Sequence, residues 1–177
     1  DPESGRILGG QGVGPGDVIK RIDVLATAIT MGMSIDTLAN LDLCYAPPYN
    51  SALDTLHHTA NLIRNKLAGR VEGVKPSEVK NKIDKNEDFL LLDVRDHIEA
   101  DTVRIEAPHT ELIPLPVLNA RMNRLPKEKE IVALCSKGSR AYQATCALKG
   151  AGFTDVKFME GSLACWCGDI IENPLLE

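Results

Sequence analysis

Apolar residues recur at Val18, Ile22, Leu25, Ile29 and Met33, a spacing of three to four that lays one buried stripe along a helix. Ahead of them, RILGGQGVG (6–14) is a short apolar run dissolving into glycines. It is read as a strand and turn leading into that helix, with Asp17 as N-cap. Ser34 opens a shorter helix, SIDTLANL, whose Leu38 and Leu41 face inward. LDLCYAPPYNSAL then breaks the pattern, because Pro47 and Pro48 cannot donate a backbone hydrogen bond, and leaves a rigid exposed turn. Ser51 is placed to cap the next helix, in which Leu53, Leu56, Ala60, Ile63 and Leu67 trace one face. The first third is therefore helix-rich.

GRVEG (69–73) ends that helix and precedes a change of pattern, so the chain is divided into residues 1–72 and 73–177. KPSEVKNKI predicts a short helix, FLLLDV a buried strand, residues 114–124 another helix and IVALC a second buried strand. SRAYQATCALKGAG predicts a helix stopped by glycine, VKFM a third strand and GSLACW a last short helix. Apolar strands without alternation, separated by helices, predict a mostly parallel sheet covered on both faces. The expected fold class is α/β.

Composition narrows the function classes. A chain of 177 residues with 44% hydrophobic residues supplies the core of one domain, or of one domain and a smaller partner. The net charge of -5 and the dispersed Lys and Arg residues give no footprint for nucleic acid or an anionic membrane. No apolar run approaches the ~18 residues of a membrane span, and the first residues do not read as a signal peptide. A cytoplasmic location is expected. The five cysteines are odd in number and unevenly spread, which suits a reducing compartment, and without a CxxC pair no structural zinc site is expected. The chain has no initiator Met and opens on a turn-like segment, as though something had been removed. Gly10, Gly12, Gly14 and Gly16 alternate without satisfying the GxGxxG of a dinucleotide fingerprint.

The candidate chemistry lies in LCSKGSRA (134–141). Cys135 follows a buried strand and precedes a helix, at the carboxyl end of a parallel strand where open α/β sheets bind ligands. The residues from Cys135 to Arg140 form a tight loop whose amides point inward beside a helix N-terminus, a nest that stabilises a thiolate. Arg140 and Lys137 add positive charge, and Gly138 lets the loop turn. The bland alternative is a small hydrophobe at a strand end. Cysteine phosphatases place five residues between Cys and Arg to wrap a phosphate; the four of CSKGSR suit a sulfur.

Residues 75 to about 170 resemble the rhodanese family. The resemblance is carried by DVR (93–95), by LPKEKEIVALCSKGSRAYQATCALKGAGFTDV with its CxxGxR loop, and by the closing MEGSLACW. It implies that Cys135 accepts a sulfane sulfur as a persulfide and passes it to a thiol or other acceptor. The amides of Ser136, Lys137, Gly138, Ser139 and Arg140 would hold the persulfide, Arg140 and Lys137 would attract anionic donors, and Asp93 and Arg95 would brace the site. The family's GHIPGA segment is replaced by DTVRIEAPHTELIP (101–114), which alters the expected donor pocket.

GRILGGQGVGPGDVIKRIDVLATAI followed by LDLCYAPPYNSALDTLHHTANLIRNK resembles the end of the dimerisation domain of flavin-dependent pyridine nucleotide-disulfide oxidoreductases. Within that family it is similar to coenzyme A-disulfide reductases and NADH-dependent persulfide or polysulfide reductases with a fused rhodanese domain. By this resemblance Tyr45 of YAPPY would contribute a hydroxyl to a partner subunit's active site; the bland alternative is a tyrosine packing on the prolines. FAD, NADH and coenzyme A are expected for a full-length parent and none in this chain, which lacks both nucleotide fingerprints. A homodimer is the family habit, and its completeness here is open. Cys165 and Cys167 offer a resolving thiol, or ordinary thiols of a short helix; Cys146 is expected in the core, and the histidines, without companions at ligand spacing, as packed or solvated side chains. The alternative function is a non-catalytic rhodanese-fold docking or dimerisation module.

Overall fold

A computed structural model describes residues 1–173, in two units: Asp1–Gly69 and a second beginning at Arg70. The first unit holds α1 (Val18–Thr30), α2 (Ile35–Ala39) and α3 (Thr55–Leu67). Its buried core is Ile7, Ala28, Ile35, Leu38 and Ala60, with Leu25, Ile29, Met33 and Leu41 half-buried against it. The stripe along α1 is thus only partly covered. Residues 6–14 form no strand: Arg6 makes a single antiparallel bridge to Ser34, and the glycines that follow bring no side chains to pack a ladder.

Two expected caps differ. Asp17 precedes α1 but its side chain makes no cap bond, and its carbonyl instead accepts from Arg21 Nη1 at 3.0 Å. Ser51 does not cap α3. Asp54 does, accepting from the Leu56 amide at 2.9 Å while His57 Nδ1 accepts from the Asp54 amide at 3.0 Å. The Asp54 carboxylate is fixed from α1 by Arg21, whose Nε lies 3.0 Å away, so an aspartate with a second partner supersedes the serine. His57 is buried, its Nε2 2.8 Å from the Leu41 carbonyl, while Leu53, Ile63 and Leu67 remain exposed.

The second unit runs β1 (Gly73–Val74), α4 (Pro76–Asp84), β2 (Leu90–Asp93), α5 (His97–Thr102), β3 (Val103–Arg104), β4 (Thr110–Leu112), α6 (Leu118–Arg121), β5 (Ile131–Leu134), α7 (Ser139–Gly150), β6 (Val156–Met159) and β7 (Ile171–Glu172). A 3-10 turn, Ser162–Cys165, stands where the last short helix is expected. The main sheet is wholly parallel, in the order β1-β6-β5-β2-β4, and β3 pairs with β7 antiparallel. The expected α/β class with a central parallel sheet is borne out.

Both faces are covered, as the unbroken apolar strands require. Leu91, Val132, Leu134 and Met159 join Val79, Phe89 and Ile105 in one cluster. Alternate residues point to the other face, where Tyr142 of α7 meets Phe158 edge-on, ring centroids 5.8 Å apart. Glu130 is mostly enclosed between Lys82 Nζ at 2.8 Å and Lys157 Nζ at 2.9 Å, linking α4, the start of β5 and β6.

One topological fact positions the site. From β2 the chain goes outward to the edge strand β4 and then returns to the opposite side of β2 as β5. The loops leaving β2 and β5 therefore diverge at a switch point, and the crevice at their carboxyl ends is where an open α/β sheet receives a ligand. The Val94 amide donates to the Leu134 carbonyl at 3.0 Å, so the DVR and cysteine loops start side by side.

Candidate functional site

Cys135 is the first residue beyond β5 and is 1% exposed. Its loop turns at Gly138, which has φ of +107°, so that the Gly138 amide donates to the Cys135 sulfur at 3.1 Å. A side chain would be strained at that φ, and a Cβ would stand 3.4 Å from the Gly161 nitrogen. Burial is the largest influence on the thiol and pushes its pKa up. The amides of Ala141, Gly138 and Lys137 and the Ser162 hydroxyl together outweigh it, so the net shift is downward. The sulfur is buried yet biased toward thiolate.

Ser162 escapes the sequence reading. Its Oγ accepts from the Cys135 amide at 3.1 Å and lies 3.1 Å from the Met159 carbonyl, to which it donates. Gly161 (φ +70°) and Ser162 (φ +50°) are consecutive left-handed residues that turn the chain back under the loop. The Leu163 amide then bonds the Cys135 carbonyl at 3.2 Å and the Ala164 amide bonds the Ser136 carbonyl at 2.9 Å. The turn after β6 is a wall of the cysteine loop.

Arg140, expected to face anionic donors, is engaged by Glu99. Nη1 and Nη2 donate to the two Glu99 oxygens, each at 2.6 Å, and Nη2 also donates to Ser136 Oγ at 2.9 Å. Ser136 in turn donates to Glu99 Oε1 at 2.7 Å. The Arg140 guanidinium, with lesser help from Ser136 and Asp96, holds the Glu99 carboxyl well below the usual range, and Glu99 raises the arginine in return. Glu99 sits in the first turn of α5 in a capping box with Asp96, whose Oδ1 accepts the Glu99 amide at 2.9 Å. The signal was present as Asp96-x-x-Glu99, a helix-start pattern; nothing in it tells that the carboxylate faces a loop about forty residues on.

Asp93 and Arg95 are both buried and pair with one another, Arg95 Nη2 lying 2.6 Å from Asp93 Oδ2. Arg95 Nη1 also donates to the Glu99 carbonyl at 3.0 Å. They hold α5, and through it Glu99, and neither makes a hydrogen bond to Cys135 among those described. Lys137 and Ser139 are exposed at the mouth. Tyr45 belongs to the first unit, 58% exposed beside the cis Pro47–Pro48 bond. Cys44, Cys165 and Cys167 are free and exposed, and so is Cys146, which was expected in the core: it occupies the outer side of α7 while Ala144 and Thr145 are buried.

Among the described residues no cluster of His, Cys, Asp and Glu would hold a metal, and no helix is long and apolar enough to cross a membrane. The glycine run of the first unit enters α1 without a preceding strand, so it does not fit a flavin or nicotinamide phosphate.

The rhodanese-like domain model matches residues 75–169, and the model of the pyridine nucleotide-disulphide oxidoreductase dimerisation domain matches residues 1–57. A NAD-dependent persulfide reductase from A. fulgidus has a similar structure, with TM-score 0.79 and 46% identity over 93% of this chain and 28% of that one. Reduced CoADR-RHD of Bacillus anthracis gives TM-score 0.75 and 34% identity over 82% of this chain and 25% of that one. A probable adenylyltransferase/sulfurtransferase MoeZ of Mycobacterium tuberculosis is 32% identical over 101 residues, covering 56% of this chain and 25% of its own. The chain thus spans about a quarter of the length of each of these proteins. The expected resemblance to reductases with a rhodanese-like domain is borne out.

Proposed function

Because the chain belongs to the rhodanese-like domain family through residues 75–169, we propose that its second unit is a sulfurtransferase that carries sulfane sulfur on Cys135. The observation that carries this reading is the Cys135 sulfur held at 3.1 Å by the Gly138 amide and lowered in pKa by the surrounding donors. In the first half-reaction the Cys135 thiolate attacks the outer sulfur of a persulfide or polysulfide. The donor's S–S bond breaks, the donor leaves as a thiolate or shortened polysulfide, and Cys135 keeps one extra sulfur. In the second, an acceptor thiolate attacks that sulfur, the Cys135–sulfur bond breaks and the Cys135 thiolate returns. No electrons are gained or lost overall.

The chain's residues supply geometry and charge. The amides of Lys137, Gly138 and Ala141 are placed to take the negative charge that moves between Cys135 and the added sulfur. Ser136, Ser139 and Lys137 line the approach, Arg140 is held in place by Glu99, and Asp93 with Arg95 keeps α5 fixed.

The first unit reads as part of an oxidoreductase dimerisation domain. In a longer parent reductase, segments outside this chain would hold FAD and NADH, which would supply the electrons that release the transferred sulfur as sulfide. Coenzyme A is the acceptor thiol this reading favours, Tyr45 would serve the partner subunit of a homodimer, and the cytoplasm is the compartment.

The test is intact mass of the reduced chain after brief polysulfide treatment, with the modified peptide mapped. One added sulfur on Cys135, absent in Cys135→Ser, is expected. An unmodified Cys135 in folded protein, or sulfur transfer persisting in Cys135→Ser, would replace this reading with a docking module.

A further inference from the structure

An arginine beside a reactive thiol is worth most to a substrate that carries an oxyanion, since a guanidinium recognises carboxylate, phosphate or sulfonate oxygens through two parallel N–H donors. Arg140 has five such hydrogens. Nη1 and Nη2 each donate to a Glu99 oxygen, and Ser136 Oγ lies beside that pair, 2.9 Å from Nη2 and 2.7 Å from Glu99 Oε1. The guanidinium has two double-donor edges. The Nη1/Nη2 edge is filled by Glu99, and Ser136 Oγ stands against Nη2 beside it.

Glu99 is itself held. Its oxygens accept from Arg140 twice, from Ser136 at 2.7 Å and from the Asp96 amide at 3.3 Å, four donors for the roughly four lone-pair positions of a carboxylate. The capping box and the Arg95 bond to its carbonyl fix the backbone behind it. An oxyanion therefore meets an arginine already neutralised by a rigid carboxylate, next to a buried sulfur whose ionised form carries the same sign as itself. A chain of unoxidised sulfur needs no such fork. Its terminal sulfur needs only the amides around Cys135.

We infer that Glu99 sets the donor class of the Cys135 site, occupying the Arg140 fork so that polysulfides and organic persulfides are accepted and oxyanion donors such as thiosulfate are rejected. This rests on the sulfurtransferase reading and deepens it. Glu99 acts through Arg140, as a positioning residue, and does not touch the sulfur that moves.

The experiment measures, in the full chain, the rate of sulfur addition to Cys135 by intact mass over a range of inorganic polysulfide and of thiosulfate, in the parent protein and in Glu99→Gln. The parent should half-saturate with polysulfide at a concentration at least about tenfold below that for thiosulfate, the discrimination expected from one charge-assisted pairing. In Glu99→Gln the ratio should narrow by about the same factor, through a lower half-saturating thiosulfate concentration rather than a faster limiting rate. Inorganic sulfate should slow polysulfide loading in Glu99→Gln and not in the parent. A variant that merely loosens the fold slows both donors together, so an unchanged ratio overturns the inference, as does equal use of both donors by the parent should the variant fail to fold. Absence of sulfur on parent Cys135 from either donor overturns the sulfurtransferase reading itself and the gate with it.

Discussion

Burial alone would keep the Cys135 thiol protonated, and its lowered pKa measures how completely backbone amides and one hydroxyl answer that burial. Ser162→Ala removes the acceptor of the Cys135 amide and leaves a buried N–H unpaired, at a cost of about 1–2 kcal/mol. Alkylation of Cys135 by iodoacetamide should then show its half-point at higher pH in the variant than in the parent. The linked stability has a definite sign: an acid whose pKa is lowered on folding stabilises the fold above its unfolded pKa, and this is lost as pH falls through the folded pKa. A second residue is out of place in the opposite sense. Thr145 Oγ1 is buried in α7 without a hydrogen-bond partner among the described residues, so Thr145→Val should raise stability by about 1 kcal/mol, read from a denaturant midpoint. The Cys135, Gly138 and Arg140 constellation was legible because it is contiguous. Glu99 and Ser162 were not, because their bonds to the loop span 37 to 41 and 27 residues and arise only when sheet strands align.

Helices and strands were legible in proportion to their length. The four-residue strands β2, β5 and β6 announce themselves as apolar runs, and α1, α3, α4 and α7 by period or by breakers. The two- and three-residue strands β1, β3, β4 and β7 carry no period to detect, and α5 hides in a polar segment. Within the loop, Gly138→Ala should cost about 1–2 kcal/mol from its left-handed backbone. It should also lose thiolate reactivity, as a chain relaxing to negative φ swings the Gly138 amide off the sulfur; thermal unfolding and alkylation rate read the two effects. Glu130 joins three elements through Lys82 and Lys157. Burial pushes its pKa up, but the two lysines outweigh this and hold it below the usual carboxylate range. Its stabilisation is present above the unfolded value of about 4.3 and is lost as pH falls through the folded pKa. Glu130→Gln should therefore cost about 1–2 kcal/mol at neutral pH, a deficit that shrinks as urea titrations are repeated at progressively acid pH.

At the scale of the whole molecule, each unit has its own core, and the two differ in substance. The first rests on five buried apolar residues and leaves Leu8, Val13 and Ile19 more than half exposed; the second buries both faces of a five-stranded sheet. Amide hydrogen exchange should therefore be slowest in β2 and β5 and faster throughout α1–α3, since opening energy follows buried apolar contact. Comparable protection in both units would contradict this ordering. The enclosure of Cys135 has a further meaning for a chain with four other thiols, all exposed. Its acidity exists only while residues 137–141 and Ser162 are assembled around it, so unfolding turns it into an ordinary cysteine that the solvent can reach. The ratio of its labelling to that of Cys44, Cys146, Cys165 and Cys167 is a clock for assembly carried within the chain, able to time the closing of the parallel sheet without any added probe.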